Sequence, residues 1–351
     1  MSLASAWAVA LHGVDGMLVE IEADIGPGLP GLHMVGLPDT ALSEARDRVR
    51  AAVLNSGERW PSRRMTLALS PATLPKGGSS YDVALACALL AADRRIPRER
   101  LCGLVLVGEL ALDGRLRPVR GVLPAVLAAR QVGIGQVVVP TASLAEASLV
   151  DGIQVRGATC LKEVLSWLRN PTVGLACSGP PRPAPSVTVP DLRDVLAQGD
   201  ARWAVEVAAA GGHHLFLTGP PGTGKTMLAQ RMVGLLPALT DQEALEVTAV
   251  HSVAGLLSPE TPLITLPPFV APHHTSSVAA LVGGGSGLAK PGAVSRAHRG
   301  VLFLDEVAEF GPRSLEALRT PLEDGEIRLA RRDGAVRYPA RCLLVLAANP
   351  C

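Results

Sequence analysis

Apolar and acidic residues alternate from Val19 to Ile25. Val19, Ile21, Ala23 and Ile25 fall on one side and Glu20, Glu22 and Asp24 on the other, the period of a strand with one buried face. At Thr40 the spacing changes. Leu42, Ala45, Val49, Ala52 and Val53 recur at helical intervals, predicting a helix over 40–56 with Asp39 and Thr40 at its start and Gly57 at its stop. Met65 to Leu69 and Leu104 to Val107 predict buried strands, and Leu110 to Val119 reads as a hairpin around Asp113-Gly114. Further on, the pattern predicts a helix over 194–210, a short strand over 215–217 and a helix from about Thr226 to Leu236. An apolar run over 301–304, an alternating hairpin over 326–338 around Asp333-Gly334, and a strand over 342–348 follow.

Between these two series lies PTVGLACSGPPRPAPSVTVP, residues 171–190, with six prolines and no helical or strand period. Such a stretch favours extended backbone and reads as a linker. The expected organisation is therefore a domain over 1–170, a linker over 171–190 and a second domain over 191–351. A chain of 351 residues is long enough for about two cores.

Composition narrows the function classes. With 48% hydrophobic and 19% charged residues and a net charge of +1, the chain is neither a broadly basic nucleic-acid coat nor an acidic tail, although a local basic patch is compatible with these figures. The six cysteines lack C-x-x-C spacing and read as buried small hydrophobes in a reducing compartment. No run approaches the ~20 apolar residues of a membrane helix, and the first residues lack a basic leader region. The expectation is a soluble, cytoplasmic protein with no membrane partner. Positive charge is nearly all arginine; the lysines are Lys76, Lys162, Lys225 and Lys290, which makes a lysine inside a motif informative.

Lys225 is in such a motif. Gly219-Pro220-Pro221-Gly222-Thr223-Gly224-Lys225-Thr226 fits G-x-x-x-x-G-K-[ST], with a predicted strand before it and a helix after it. Glycines let the backbone turn tightly and aim successive N–H groups at phosphate oxygens. The following helix adds its positive N-terminal end. Lys225 supplies a point charge to the β- and γ-phosphates, and the Thr226 hydroxyl is a Mg²⁺ ligand. ATP and Mg²⁺ are the implied cofactors.

Such a loop needs a carboxylate at the end of a neighbouring buried strand. Gly300-Val-Leu-Phe-Leu-Asp305-Glu306 offers it, about eighty positions after Lys225. Four uniformly apolar residues suit a parallel sheet covered on both faces. Asp305 would hold Mg²⁺, and Glu306 would polarise the attacking water. Asn349, after the last predicted strand, either contacts the water or γ-phosphate or simply ends the strand in an Asn-Pro turn. The hairpin over 326–338 carries Arg328, Arg331, Arg332 and Arg337. It is either a solvated edge or, if several copies converge on a ring axis, a positive lining able to track a phosphate backbone.

Together these residues resemble the YifB/ComM family of magnesium-chelatase-like AAA+ proteins. The resemblance is carried in the second half by Ala208-Ala-Ala-Gly-Gly-His-His-Leu, Ala271-Pro-His-His-Thr275, Gly283-Gly-Gly-Ser286, Gly300 to Glu306 and Leu318-Arg-Thr-Pro-Leu-Glu-Asp-Gly325. In the first half it is carried by Gly36-Leu-Pro-Asp39, Leu74-Pro-Lys-Gly77 and Gly108-Glu-Leu-Ala-Leu-Asp-Gly114 through Arg117-Pro-Val-Arg-Gly121. It implies an α/β chain: an α+β Lon-protease-like N-terminal domain followed by a P-loop AAA+ αβα domain with a parallel sheet. It further implies a hexameric ATPase, similar to branch-migration helicases of natural transformation, with Lys225, Glu306 and Asn349 in hydrolysis and Arg328, Arg331 and Arg332 facing DNA in the pore. The alternatives are a magnesium chelatase motor subunit of tetrapyrrole synthesis and an ATP-binding scaffold.

Laid on the Lon pattern, the nucleophile position falls on Ser80 and the lysine position on Leu123, and an alkyl group takes no proton; no peptidase activity is expected. Val195-Leu-Ala197-Gln198 stands where the family usually reads V-x-G-Q, and Trp203 where a basic residue is common. His273 and His274 have no companion ligands at metal spacing and read as loop or subunit-contact residues. The family continues past Cys351 with an arginine finger, a helical lid and a C-terminal domain, so the second domain is expected to be incomplete and to hydrolyse ATP poorly as it stands.

Overall fold

Strands β1 (Ser2–His12) and β2 (Asp15–Gly26) pair antiparallel with Leu11 opposite Gly16. The alternation read from Val19 to Ile25 is the inner half of β2: those four side chains are buried, while the acidic ones between them are not. In the computed structural model the described residues are 2–36, 40–72, 74, 78–177, 189–285, 289–331 and 334–350. Asp39, Lys76, Ser286, Arg332, Asp333 and the proline-rich 178–188 lie outside them. The chain divides into two compact units, Met1–Pro183 with Ser258–Pro262, and Ala184–Leu257 with Leu263–Cys351.

The first unit continues with β3 (Gly31–Val35), α1 (Thr40–Asn55), β4 (Arg64–Ser70), α2 (Asp82–Ala92), β5 (Leu104–Leu106), β6 (Glu109–Leu110), β7 (Leu116–Arg117) and α3 (Val122–Gln131). It closes with β8 (Gln136–Pro140), α4 (Leu144–Ala147), β9 (Gln154–Ala158), α5 (Leu161–Arg169) and β10 (Ala176–Cys177). Eight strands form one mixed sheet in the order β10-β9-β8-β5-β1-β2-β4-β3. Helix α2, DVALACALLAA, is buried along its whole length, which suits a helix apolar on every side. It lies across β1 and β2, where Ala4, Ala6, Ala8 and Ala10 keep the sheet surface low. Its one charge, Asp82, is fully buried and is met by Arg48 Nε at 2.9 Å, Arg48 Nη2 at 3.1 Å and the Leu110 amide at 3.1 Å.

The second unit comprises α6 (Gly199–Gly211), β11 (Leu215–Thr218), α7 (Lys225–Met232), α8 (Asp241–Ala254), β12 (Phe269–Val270), α9 (Val278–Val282), β13 (Gly283–Gly284) and β14 (Lys290–Pro291). After these come α10 (Ala293–Arg296), β15 (Val301–Leu304), α11 (Pro312–Asp324), β16 (Glu326–Arg331), β17 (Gly334–Pro339) and β18 (Leu343–Ala348). Its sheet is wholly parallel, in the order β11-β18-β15-β12. All four side chains of β15 are buried, as the uniform apolar run requires. A Cβ on Gly300 would stand 2.1 Å from the Pro268 carbonyl oxygen, so only glycine lets β15 begin beside β12.

Two local expectations shift. The helix expected from Asp194 begins at Gly199, because Ala197 and Gln198 take positive φ, 60° and 52°, and break the helical path after a short 3-10 turn over Leu192–Asp194. Gly334, expected in the hairpin turn with Asp333, instead opens β17 and pairs with Arg331.

Candidate nucleotide site

In a parallel sheet the carboxyl ends of neighbouring strands open onto one edge, which is where α/β folds hold ligands. Here β18 separates β11 from β15, with Thr218 beside Ala348 and Leu304 beside Leu346. The residues that leave these strands, Gly219, Asn349 and Asp305, therefore meet.

The loop closes on itself. Gly222 and Gly224 take positive φ, 83° and 79°, conformations that strain a side chain. The Thr223 hydroxyl donates to the Pro220 carbonyl at 2.8 Å. Pro221 lies in the same exposed turn. Helix α7 starts at Lys225, and its leading amides have no intrahelical acceptors. The Lys225 ammonium donates to the carbonyls of Gly219 (2.6 Å) and Pro220 (3.0 Å) and to Asn349 Oδ1 (2.9 Å), which accounts for its three protons. Asn349 is thus drawn to the loop lysine, 124 residues away in sequence.

The Thr226 hydroxyl donates to Asp305 Oδ2 at 2.7 Å. A hydroxyl and a carboxylate brought together beside the glycine loop are donors that suit a hard oxygen-seeking cation, and Mg²⁺ there would take its remaining ligands from water and phosphate rather than from a protein cage. Among the described residues no group of three or more His, Cys, Asp or Glu is placed to hold a metal.

Glu306 also takes a positive φ, 51°. Its amide donates to Asp305 Oδ1 at 3.0 Å, and its half-exposed carboxylate lies 3.6 Å from His274 Nδ1. The His273 ring tilts against that of His274, centroids 4.1 Å apart, and its Nδ1 lies 2.8 Å from the Thr275 hydroxyl. Sequence reasoning read the two histidines as loop or subunit-contact residues and did not foresee this contact. The signal available was only that they follow a short strand, β12, neighbouring β15. Gln198 also reaches the loop, its Nε2 being 3.6 Å from where a Cβ on Gly224 would stand.

The arginine hairpin has two faces. Ile327, Val336 and Tyr338 are buried, and the Tyr338 hydroxyl donates to the Ala289 carbonyl. On the outer face Arg328 stands directly across from Arg337, both exposed, with Arg328 donating to the Glu326 carboxylate. Like charges facing each other weaken a hairpin. Arg331 ends β16, and Arg332 lies outside the described residues. In the first unit, Leu123 is wholly buried with its amide donating to Glu146 at 2.8 Å, and the Ser80 carbonyl accepts from the Gly108 amide at 3.0 Å.

Two family profiles match the chain: "Magnesium chelatase, subunit ChlI" over residues 191–351, and "Subunit ChlI of Mg-chelatase" over residues 21–143. An uncharacterized protein of Mycobacterium tuberculosis is 68% identical over 351 residues, which is 100% of this chain and 70% of that protein. The uncharacterized protein YifB of Escherichia coli is 44% identical over 353 residues, covering 100% of this chain and 68% of its own. The competence protein ComM of Haemophilus influenzae is 43% identical over 356 residues, 100% of this chain and 69% of its own. A partial likeness to the Lon protease of Mycolicibacterium smegmatis, 26% over 179 residues and 47% of this chain, agrees with the expected Lon-like α/β portion. Among the described residues no helix is long and apolar enough to cross a membrane.

Proposed function

This chain belongs to the YifB/ComM family of magnesium-chelatase-like proteins, and on that premise we propose that it is a MgATP-dependent AAA+ motor acting on DNA. The observation that carries the reading is the convergence of Lys225, Thr226, Asp305, Glu306 and Asn349 at one sheet edge, beside a glycine loop that opens a helix.

In this reading Gly219 to Thr226 wraps the β- and γ-phosphates with backbone amides, and Lys225 exchanges the loop carbonyls for phosphate oxygens. Thr226 and Asp305 would hold Mg²⁺, which would supply charge neutralisation at the transferring phosphoryl group. Glu306 takes the proton of the attacking water as its oxygen bonds to the γ-phosphorus and the bond to the bridging oxygen breaks, yielding ADP and phosphate. Asn349 orients the water or the γ-phosphate from the strand between.

A relative named as a competence protein supports DNA as the polymer acted on, with Arg328, Arg331 and Arg332 as candidate contacts to its backbone and the exposed Arg337 across from Arg328. Assembly as a homo-hexamer would bring such hairpins around one axis. Leu123, at the Lon lysine position, offers no base to Ser80, so the first unit is assigned an organising role rather than proteolysis.

The test is ATP hydrolysis by the complete gene product and by its Lys225→Ala variant, with and without branched DNA. The expected result is DNA-stimulated hydrolysis that the substitution abolishes. Equal turnover in the two proteins would refute the motor assignment.

A further inference from the structure

Helix α2 ends in a segment dense in arginine. Asp93, Arg94 and Arg95 follow it, and a 3-10 turn over Arg98–Leu101 comes after Pro97. Together with the end of α5 they line a cleft of about 560 Å³, to which Arg94, Arg95, Arg98 and Arg169 contribute, with Glu99 the one carboxylate among its lining residues. Elsewhere in the first unit Arg100 and Arg156 lie 5.2 and 5.4 Å from the ring centre of Trp167, each with a buried Nε that has no hydrogen-bond partner among the described residues.

Two of these guanidiniums are neutralised locally: Arg95 by Asp93 at 3.2 Å and Arg169 by Glu58 at 2.7 Å. Arg94 and Arg98 have no carboxylate within ion-pair distance among the described residues. On the far side of Arg98 the surface turns acidic, with Glu20, Glu22 and Glu99, so the positive strip is confined to one edge. In a chain whose net charge is +1, that concentration is local.

Favourable placement at the negative end of α2 accounts for Arg94 and Arg95. It does not account for Arg98 and Arg169, which come from two other elements. The dipole favours a cation at Arg94, yet that residue sits at φ 60° in the helix-ending position that favours glycine, its amide bonded to Ala91 O at 3.0 Å and that of Arg95 to Leu90 O at 2.8 Å. Conformational energy is given up there to keep a guanidinium.

We propose that this arginine-lined cleft of the first unit is a second nucleic-acid contact, which grips the phosphate backbone of a duplex without reading its sequence. Guanidiniums pair with phosphate through two parallel hydrogen bonds. The residues that line the cleft include no aromatic ring on which a single-stranded base can stack. The inference shares the polymer with the motor reading but not its site.

The experiment is fluorescence anisotropy of the whole protein with a labelled duplex and no ATP, over a salt series, for wild type, Arg98→Gln and Arg94→Gly. Each substitution is expected to weaken binding about three- to tenfold and to reduce the slope of log affinity against log salt by about 0.9. Arg94→Gly relieves the strained φ and is expected to raise Tm while losing affinity, which separates a lost contact from a damaged fold. Unchanged affinity and slope in both variants overturn the proposal, including the case in which the cleft serves an acidic protein segment. A parallel measurement of DNA-stimulated hydrolysis in Arg328→Gln/Arg337→Gln keeps the two readings apart. Loss of stimulation there with intact duplex affinity in the cleft variants sinks this inference alone. Weakened duplex binding in the cleft variants, with no stimulation of hydrolysis by DNA in wild type, sinks the motor and leaves the contact standing.

Discussion

His274 Nδ1 lies 3.6 Å from Glu306 Oε2, joining the loop after β12 to the carboxylate that follows β15. The contact holds the side chain of a residue whose backbone already stands at φ 51°, a combination that restricts where the carboxylate points. Replacing His274 by alanine is expected to lower kcat about tenfold while leaving the affinity for a non-hydrolysable ATP analogue unchanged, as removal of a group that positions the proposed base should. Steady-state hydrolysis and analogue titration read the two quantities, and an unaltered kcat would dissociate His274 from the reaction.

Arg48 and Asp82 form the buried ion pair of the first unit, with Asp82 fully enclosed. Arg48→Met leaves that carboxylate without its bidentate partner and is expected to cost about 3 kcal/mol of stability. Trp7, Trp60 and Trp167 all lie in this unit, so tryptophan fluorescence during urea unfolding reports the loss. Asp82→Asn, which keeps shape and removes the charge, should cost less; a midpoint unchanged in Arg48→Met contradicts the assignment.

His298 and His251 set a pH dependence in the second unit. His298 is almost wholly buried; its Nδ1 accepts from the Arg341 amide at 3.1 Å and its Nε2 faces Glu246 at 3.5 Å, with Arg299 and Arg341 alongside. His251 Nε2 meets the Arg296 carbonyl at 2.9 Å. Burial, ahead of the other influences, lowers both from the ordinary value of 6.5. The unfolded chain takes up these protons before the folded one does, so this part of the stability is complete above about pH 6.5 and declines as pH falls below it. Thermal melts from about pH 8 to pH 5 should show Tm falling on the acid side, with a shallower fall in His251→Gln. A Tm independent of pH over that range would mean the imidazoles take protons equally in both states.

Ala197 stands at φ 60° just before α6, where the resemblance leads one to expect glycine. Ala197→Gly is expected to stabilise the protein by about 1 kcal/mol and raise Tm, because glycine carries no Cβ against the neighbouring carbonyl. Differential scanning calorimetry measures it; a lower Tm would show that the loss of chain stiffness outweighs the relief of strain.

The phosphate loop, the buried strand ending in Asp305-Glu306, and the alternation of β2 were all legible in the residues, because each depends on neighbours within a turn or a strand: glycine where φ is positive, apolar runs where both faces are covered, period two where one is. The same local logic failed where backbone and packing competed. The helix expected from Asp194 starts late because two non-glycine residues at 197 and 198 accept positive φ, which no propensity announces. Sheet order decided the rest. That β18 lies between β11 and β15 puts Asn349 on Lys225 across 124 residues of chain, and the pairing of β12 with β15 puts His274 on Glu306. Arg48 meets Asp82, and Arg169 joins Arg94 and Arg98 at one cleft, only after helices have packed. Chain-local rules prescribe backbone shape; which side chains share a site is decided by strand neighbours and helix packing, whose energy is spread over contacts distant in sequence.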